Sequence, residues 1–276
     1  MSPAEYAAPA DPAAPADHAA LAEELLTAHR TGVPVPPLTE RHPDLGLDGA
    51  YAIQLAQVRA RTGVGARVSG HKIGLTSAAI QQQLGVREPD FGHLFADMEI
   101  VGRTISTERF IAPRAEPELA FVLGRELHGP HVTTREAAAA VCLVLPALEI
   151  IDSRIADWRI GLPDTVADNA SCGAYVLGTT GVPLDRLDLN RLGCVLRAGA
   201  EIAETGSASA VLGNPLAGLA WLANTLGRHG TSLQPGQVIL SGSMTAAVDL
   251  APGTTISAEF QGLGHLALHV EEKERP

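Results

Sequence analysis

The chain has 276 residues, of which 46% are hydrophobic and 18% charged, with a formal net charge of −11. This composition suits a folded globular protein and not a disordered one, and the acidic balance argues against a nucleic-acid partner, which would require a basic stripe. No run approaches the ~18 apolar residues of a membrane span, and the Ala/Pro-rich start lacks the basic beginning and continuous apolar core of a secretory signal, so a cytoplasmic address is expected.

Residues 1–17 read as a flexible tail. A small helical region, 18–94, is expected next. Ala19–Ala28 has the apolar spacing of an amphipathic helix, and TGVPVPPLTERHP is a proline-rich connector. Asp48 is expected to cap a helix that ends near Gly63. Arg67–Ile73 reads as a short strand, and Thr76 or Ser77 can cap the helix SAAIQQQLG, closed by Gly85. From about residue 95 short β-rich runs dominate: Glu118–Leu123, Leu143–Ile151, Gly173–Leu177, Cys194–Ala198, Val238–Ser241 and Thr255–Val270. Helices are expected at Thr134–Val141 and Pro215–Leu226; the second opens on a proline, where the missing N–H is harmless. The fold class expected is α+β, with a mixed, mainly β body over 95–276. Cys142, Cys172 and Cys194 have no metal spacing and read as buried free thiols.

Glu116 and Glu118 stand two apart in RAEPELAFVLG, and Glu149 ends the apolar run CLVLPALEII. On a strand, residues i and i+2 share a face about 7 Å apart. Ionised groups there are costly to bury unless a cation holds them, and a divalent ion with oxygen ligands is the economical solution. A wet strand face with Glu149 at its rim is the alternative. Lys72, in GHKIGLTS, sits among small and apolar neighbours; partial desolvation would lower its pKa and suit proton transfer, against the alternative of a snorkelling surface lysine. Asp90 follows a proline and reads as a loop residue. In TVADNASCG, Asp168, Asn169 and Ser171 either cap a strand end or donate to a ligand. The small residues Ser241, Gly242 and Ser243 let backbone N–H groups approach an anion, or form a plain turn.

Five blocks in order, GHKIGLTSAAIQQQLGVREPDFGHLFADM, RAEPELAFVLG, LPALEIIDSRIADW, DTVADNASCG and ILSGS, closely resemble the 2-keto-4-pentenoate hydratases. That group, with the oxo-heptenedioate hydratases and 4-oxalocrotonate decarboxylases, lies in the fumarylacetoacetate hydrolase superfamily, and the resemblance spans about residues 20–270. It implies a mixed β-roll body with helices around it, in a homo-oligomer. It also implies Mg2+ or Mn2+ held by Glu116, Glu118 and Glu149, with Lys72 and Asp90 as acid/base residues. Leu75 and Thr76 match a turn that contacts the substrate carboxylate, while Ser171 and Ser243 fall in blocks lining the pocket. The activity implied is hydration of 2-hydroxypenta-2,4-dienoate, a step of meta-cleavage aromatic catabolism.

Three other readings stay open. A decarboxylase would need an extra cation for a second substrate carboxylate, with Arg114, Arg154 and Arg159 as candidates. An acylpyruvate hydrolase would need a His–Glu pair, and His71 and His93 are the nearby histidines, without an H-x-x-E spacing. A non-catalytic partner subunit would be expected to lose some of the three glutamates or Lys72, and all are present.

Overall fold

Near-continuous apolar runs and alternating ones separate into two sheets. The computed structural model describes residues 15–78, 81–82 and 85–272. Three helices come first: α1 (Pro15–Thr31), α2 (Leu38–Arg41) and α3 (Leu47–Gly63). Helix α1 is thus longer than the Ala19–Ala28 expected, and residues 1–14 of the expected tail lie outside the described residues. Gly46, not Asp48, is the N-cap of α3; Asp48 stands inside its first turn, where a carboxylate still meets the positive end of the helix dipole. Residues 79–80 and 83–84 of the expected helix SAAIQQQLG lie outside the described residues.

The first sheet has seven strands in the order β2-β1-β9-β4-β5-β6, with β10 added to β4. These are β1 (Val68–Gly74), β2 (Asp90–Phe95), β4 (Arg114–Leu123), β5 (Val141–Ile151), β6 (Cys172–Leu177), β9 (Val238–Leu240) and β10 (Val248–Asp249). Strand β1 is the short strand expected at Arg67–Ile73, whereas β2 lies where no strand was expected. The second sheet runs β3-β12-β11-β7-β8, from β3 (Thr104–Ile105), β7 (Gly193–Ala198), β8 (Glu201–Ser207), β11 (Thr255–Phe260) and β12 (Gly264–Val270). The expected run Thr255–Val270 is therefore a hairpin, β11 and β12.

The helix Pro215–Gly227, capped by the Asn214 side chain, contributes Leu219, Leu222 and Leu226 to the main core. That core takes Leu119, Phe121, Leu148 and Ile150 from one face of β4 and β5, and Leu196, Ile256 and Leu268 from the second sheet. The opposite face of β4 and β5 is left for Glu116, Glu118 and Glu149, followed along the strands by the small residues Ala120 and Ala147 of a separate cluster. Cys172 and Cys194 are buried, but Cys142 is exposed, contrary to expectation. It and Leu143 follow buried Val141 near the start of β5, and both are exposed.

The N-terminal helices form their own small core, joining Leu25, Leu38 and Ile53 to Ile155, Val166 and Ala167. Asp164 ties them to the body. Its buried carboxylate accepts from Thr39 N at 3.0 Å, Thr39 Oγ1 at 2.7 Å and Gly161 N at 2.8 Å. Asp164→Ala strands these donors, and a loss of about 1–3 kcal/mol is expected. Urea unfolding checks the magnitude, and amide exchange should report earlier opening of α1 and α2 than of β4.

Candidate metal centre

Strand register builds the site. In the antiparallel pair β4/β5, Glu116 lies directly opposite Glu149, and Glu118 opposite Ala147. Like charges placed opposite each other on one sheet face repel, and here water screens them little: Glu118 is 1% and Glu149 0% exposed, while Glu116 is half-buried. One carboxylate oxygen from each of Glu116, Glu118 and Glu149 lies within 4.8 Å of the others. Burial, reinforced by Glu149, pushes Glu116 up to about 7. Burial with Glu149 and Glu116 pushes Glu118 well above the carboxylate range. Neither Glu149 oxygen has a hydrogen-bond partner. A crowded all-oxygen donor set, with Glu118 and Glu149 buried and both Glu149 oxygens unpartnered, fits a hard divalent cation.

Two neighbouring strands add the other charges. Lys72 on β1 pairs with Gly92 of β2, and Gly74 pairs with Asp90, so Lys72 and Asp90 share one sheet face. Lys72 Nζ lies 3.4 Å from Glu149 Oε1 and donates to the Ala170 carbonyl at 2.8 Å. Only Gly74 permits this arrangement, because a Cβ there would lie 2.2 Å from Asp90 Oδ1 and 3.3 Å from Lys72 Nζ.

Both residues depart from expectation. Asp90 begins a strand and is buried, because DFGHLF is covered on both faces. Burial disfavours the charge on Lys72, but Glu149, Asp90 and Glu116 outweigh it and raise its pKa instead of lowering it. Lys72 is a fixed ammonium. Asp90 is raised to about 6, chiefly by burial, with Lys72 opposing, Glu149 adding to the rise and the backbone N–H groups of Asp90 and Gly74 lowering it. Its Oδ1 is buried without a hydrogen-bond partner.

The loops complete the wall. Gly242 N–H donates to Glu118 Oε2 at 2.7 Å, so the anion that the small-residue turn approaches is one of the chain's own glutamates. The Thr76 side chain packs against Gly242. Leu75 has a left-handed backbone (φ 55°), and its carbonyl accepts from Gln81 Nε2 at 2.8 Å. Thr76 thus reaches the Glu118 edge of the trio. The hydroxyls of Ser171 and Ser243 turn into their own segments, towards Thr165 Oγ1 at 3.2 Å and the Thr245 carbonyl at 2.8 Å. Cys172 is a buried thiol whose pKa burial raises, with Glu149 adding to the rise, which suits packing and not a nucleophile.

The residues considered for other chemistries are differently placed. His71 and His93 face each other across β1 and β2, with ring centroids 4.9 Å apart, on the sheet face opposite Lys72. Burial lowers His93 to about 4 and holds His71 well below its usual value, so both are neutral. Arg154 is buried and paired with Asp168; Arg114 binds Asp249 at 3.0 Å and lies over Trp158; Arg159 binds Glu40 at 2.7 Å.

Known proteins share this arrangement of sequence and fold. The family model described as "Fumarylacetoacetate (FAA) hydrolase C-terminal" matches residues 77–271. A 2-keto-4-pentenoate hydratase of Paraburkholderia xenovorans (strain LB400) is 45% identical over 253 residues, covering 91% of this chain and 94% of that protein. A 2-hydroxyhexa-2,4-dienoate hydratase of Comamonas testosteroni is 42% identical over 253 residues, covering 91% and 96%. The solved structure of 4-oxalocrotonate decarboxylase from Pseudomonas putida G7, complexed with magnesium and adipate, superposes with a TM-score of 0.89 at 34% identity, covering 92% of this chain and 97% of that one.

A dication entering the trio must displace protons, because Glu116 retains its proton up to about pH 7. In metal-free protein the stability that protonated Glu116 contributes is lost as pH rises from the unfolded value of 4.5 through about 7. The histidines do not ligate, so their titration cancels between metal-free and metal-loaded protein. The rise in Tm produced by Mn2+ or Mg2+ should therefore be larger near pH 8 than near pH 6, with proton uptake by the buffer seen in calorimetry. Glu118→Gln should abolish the rise at both; an undiminished shift in that variant would rule out the trio as ligands.

Proposed function

Because the chain belongs to the fumarylacetoacetate hydrolase family, we propose that it is a hydratase that adds water to 2-hydroxypenta-2,4-dienoate, the enol of 2-oxopent-4-enoate, and releases 4-hydroxy-2-oxopentanoate. One observation carries this reading. The carboxylate trio stands beside a fixed ammonium and an unpartnered buried carboxylate oxygen, in a chain 45% identical to a 2-keto-4-pentenoate hydratase. Mg2+ or Mn2+ is the proposed cofactor, with Glu116, Glu118 and Glu149 to hold it. When bound, such an ion supplies electrostatic stabilisation of negative charge on the C2 oxygen of a 2-oxo acid. A cytoplasmic address and a homo-oligomeric state belong to the same proposal.

The chain's own residues move the protons. Lys72 carries one at Nζ and delivers it to C5 of the dienol, while the enol hydroxyl releases its own and restores the ammonium. C2 becomes a ketone conjugated to C3=C4. Water then adds at C4: Asp90 accepts its proton as the C–O bond forms and returns it to C3, which restores the carboxylate. Leu75 and Thr76 orient the substrate carboxylate at the Glu118 edge, and the segments of Ser171 and Ser243 close the cavity.

The decarboxylase reading has the support of a 34% identical solved structure. It is disfavoured because Arg114, Arg154 and Arg159 are each engaged with an acidic side chain of the chain itself. C–C hydrolysis is disfavoured because His71 and His93 stand on the wrong sheet face to activate water beside the trio.

The deciding experiment follows the ultraviolet absorbance of 2-hydroxypentadienoate and of 2-oxohex-3-enedioate, with and without Mn2+, with mass analysis of products. Gain of one water by the first substrate supports the hydratase; faster loss of CO₂ from the second would replace it with the decarboxylase. Lys72→Ala should lower kcat by about 10²- to 10⁴-fold while Mn2+ still titrates, since Lys72 is not one of the three carboxylates that would hold it. Parental kcat in that variant would withdraw Lys72 as the proton carrier.

A further inference from the structure

The segment between the helix Leu162–Ala167 and β6 has an unusual backbone. Asn169, Ala170 and Ser171 are three successive residues with left-handed φ of 52°, 51° and 54°. Residues with a Cβ rarely adopt this conformation even singly, so the surroundings must impose it. Arg154 grips both ends. Its Nε and Nη2 donate to Asp168 Oδ1 and the Asp168 carbonyl, its backbone N–H donates to Asp168 Oδ2 at 2.9 Å, and its Nη1 donates to the Cys172 carbonyl at 3.0 Å. Asn169 clips the middle onto β2 as a strand would: its Oδ1 accepts from His93 N at 2.8 Å and its Nδ2 donates to the His93 carbonyl at 3.0 Å. Gly92 makes room, since a Cβ there would lie 2.5 Å from the Asn169 carbonyl oxygen.

The outcome of these constraints is the orientation of one carbonyl. Ala170 O accepts from Lys72 Nζ at 2.8 Å. An ammonium has three N–H donors. One is spent on Ala170 and one leans on Glu149, which leaves the third to be aimed by the other two. The Arg154 side chain is 5% exposed and its donors are taken up by the Asp168 carboxylate and by backbone carbonyls, so it is not placed to receive a substrate carboxylate.

We propose that Arg154 is a positioning residue for the reaction: through Asp168 and the left-handed turn it fixes the Ala170 carbonyl, which in turn aims the Lys72 ammonium. The inference rests on the reading of Lys72 as proton carrier. It asks more of Arg154 than holding the fold together, because a stabilising role alone would leave the turnover of folded, metal-competent protein unchanged.

The test measures kcat and KM for 2-hydroxypentadienoate and Kd for Mn2+ in Arg154→Lys and Asn169→Ala, each alone and combined with Lys72→Met. Circular dichroism sets a temperature at which every variant is folded, and rates are expressed per Mn2+-binding site. Asn169→Ala keeps the Arg154–Asp168 pair, so one variant remains informative if the other fails to fold. Each single variant should lose at least about tenfold in kcat, with KM and Kd within about threefold. In the Lys72→Met background neither change should lower the residual rate further, because groups that act as one unit are not additive. Full kcat per site in both variants, or losses that multiply undiminished in the Lys72→Met background, overturns the proposal. Parental kcat in Lys72→Met alone would instead withdraw the proton-transfer reading, and this inference with it.

Discussion

Repulsion among three clustered carboxylates, two of them buried and Glu116 half-buried, is the constraint on which the rest of the structure turns. Glu116 and Glu149 are opposed across a strand pair, and Glu118 is the next residue on the same face. A sheet whose purpose was stability alone would place apolar residues there, as the other face of β4 and β5 does with Leu119, Phe121, Leu148 and Ile150. The cost of the trio is borne because the other face of β4 and β5 packs into the main core, and because strand pairing over ten residues of β4 fixes the register that a slip of one residue would destroy.

The partners of the trio are graded in strength. Gly242 gives Glu118 a backbone donor. Lys72 gives Glu149 a cation at 3.4 Å, longer than a good charged hydrogen bond, while its shorter contact goes to a neutral carbonyl. The lysine is thus held by the 169–171 turn as well as by the carboxylate. That division suits a site in which the glutamates serve a metal and the ammonium serves a substrate. Small residues bring the groups this close: Gly74 under Asp90 and Lys72, Gly92 under the turn. Their role is to let charged side chains and backbone meet across the sheet without a methyl between them.

Much of the architecture was legible in the chain. The apolar runs of β5 and β6 and the proline-opened helix at Pro215 mark their elements directly. Strand β2 was not legible, because DFGHLF follows a proline and contains glycine, and its burial on both faces comes from partners remote in sequence. Cys142 was misjudged because an apolar neighbourhood in sequence does not say how far a sheet is covered. The Lys72 pKa went the other way for a related reason: desolvation was foreseeable, but the sum of three carboxylates around it was not.

The sequence by itself determined which groups are available for chemistry. It determined the two-residue spacing that puts Glu116 and Glu118 on one face, the apolar run that buries Glu149, and the order of blocks that places the chain in its family. Tertiary structure alone decided which of these groups meet. The pairing of β4 with β5 set Glu116 against Glu149, and the pairing of β1 with β2 set Lys72 beside Asp90. The grip of Arg154 on the turn after Asp168 sent the Ala170 carbonyl to the lysine. Spacing along a chain fixes a side chain's direction relative to its own backbone, whereas distance between strands depends on register, and register is a property of the whole packed sheet.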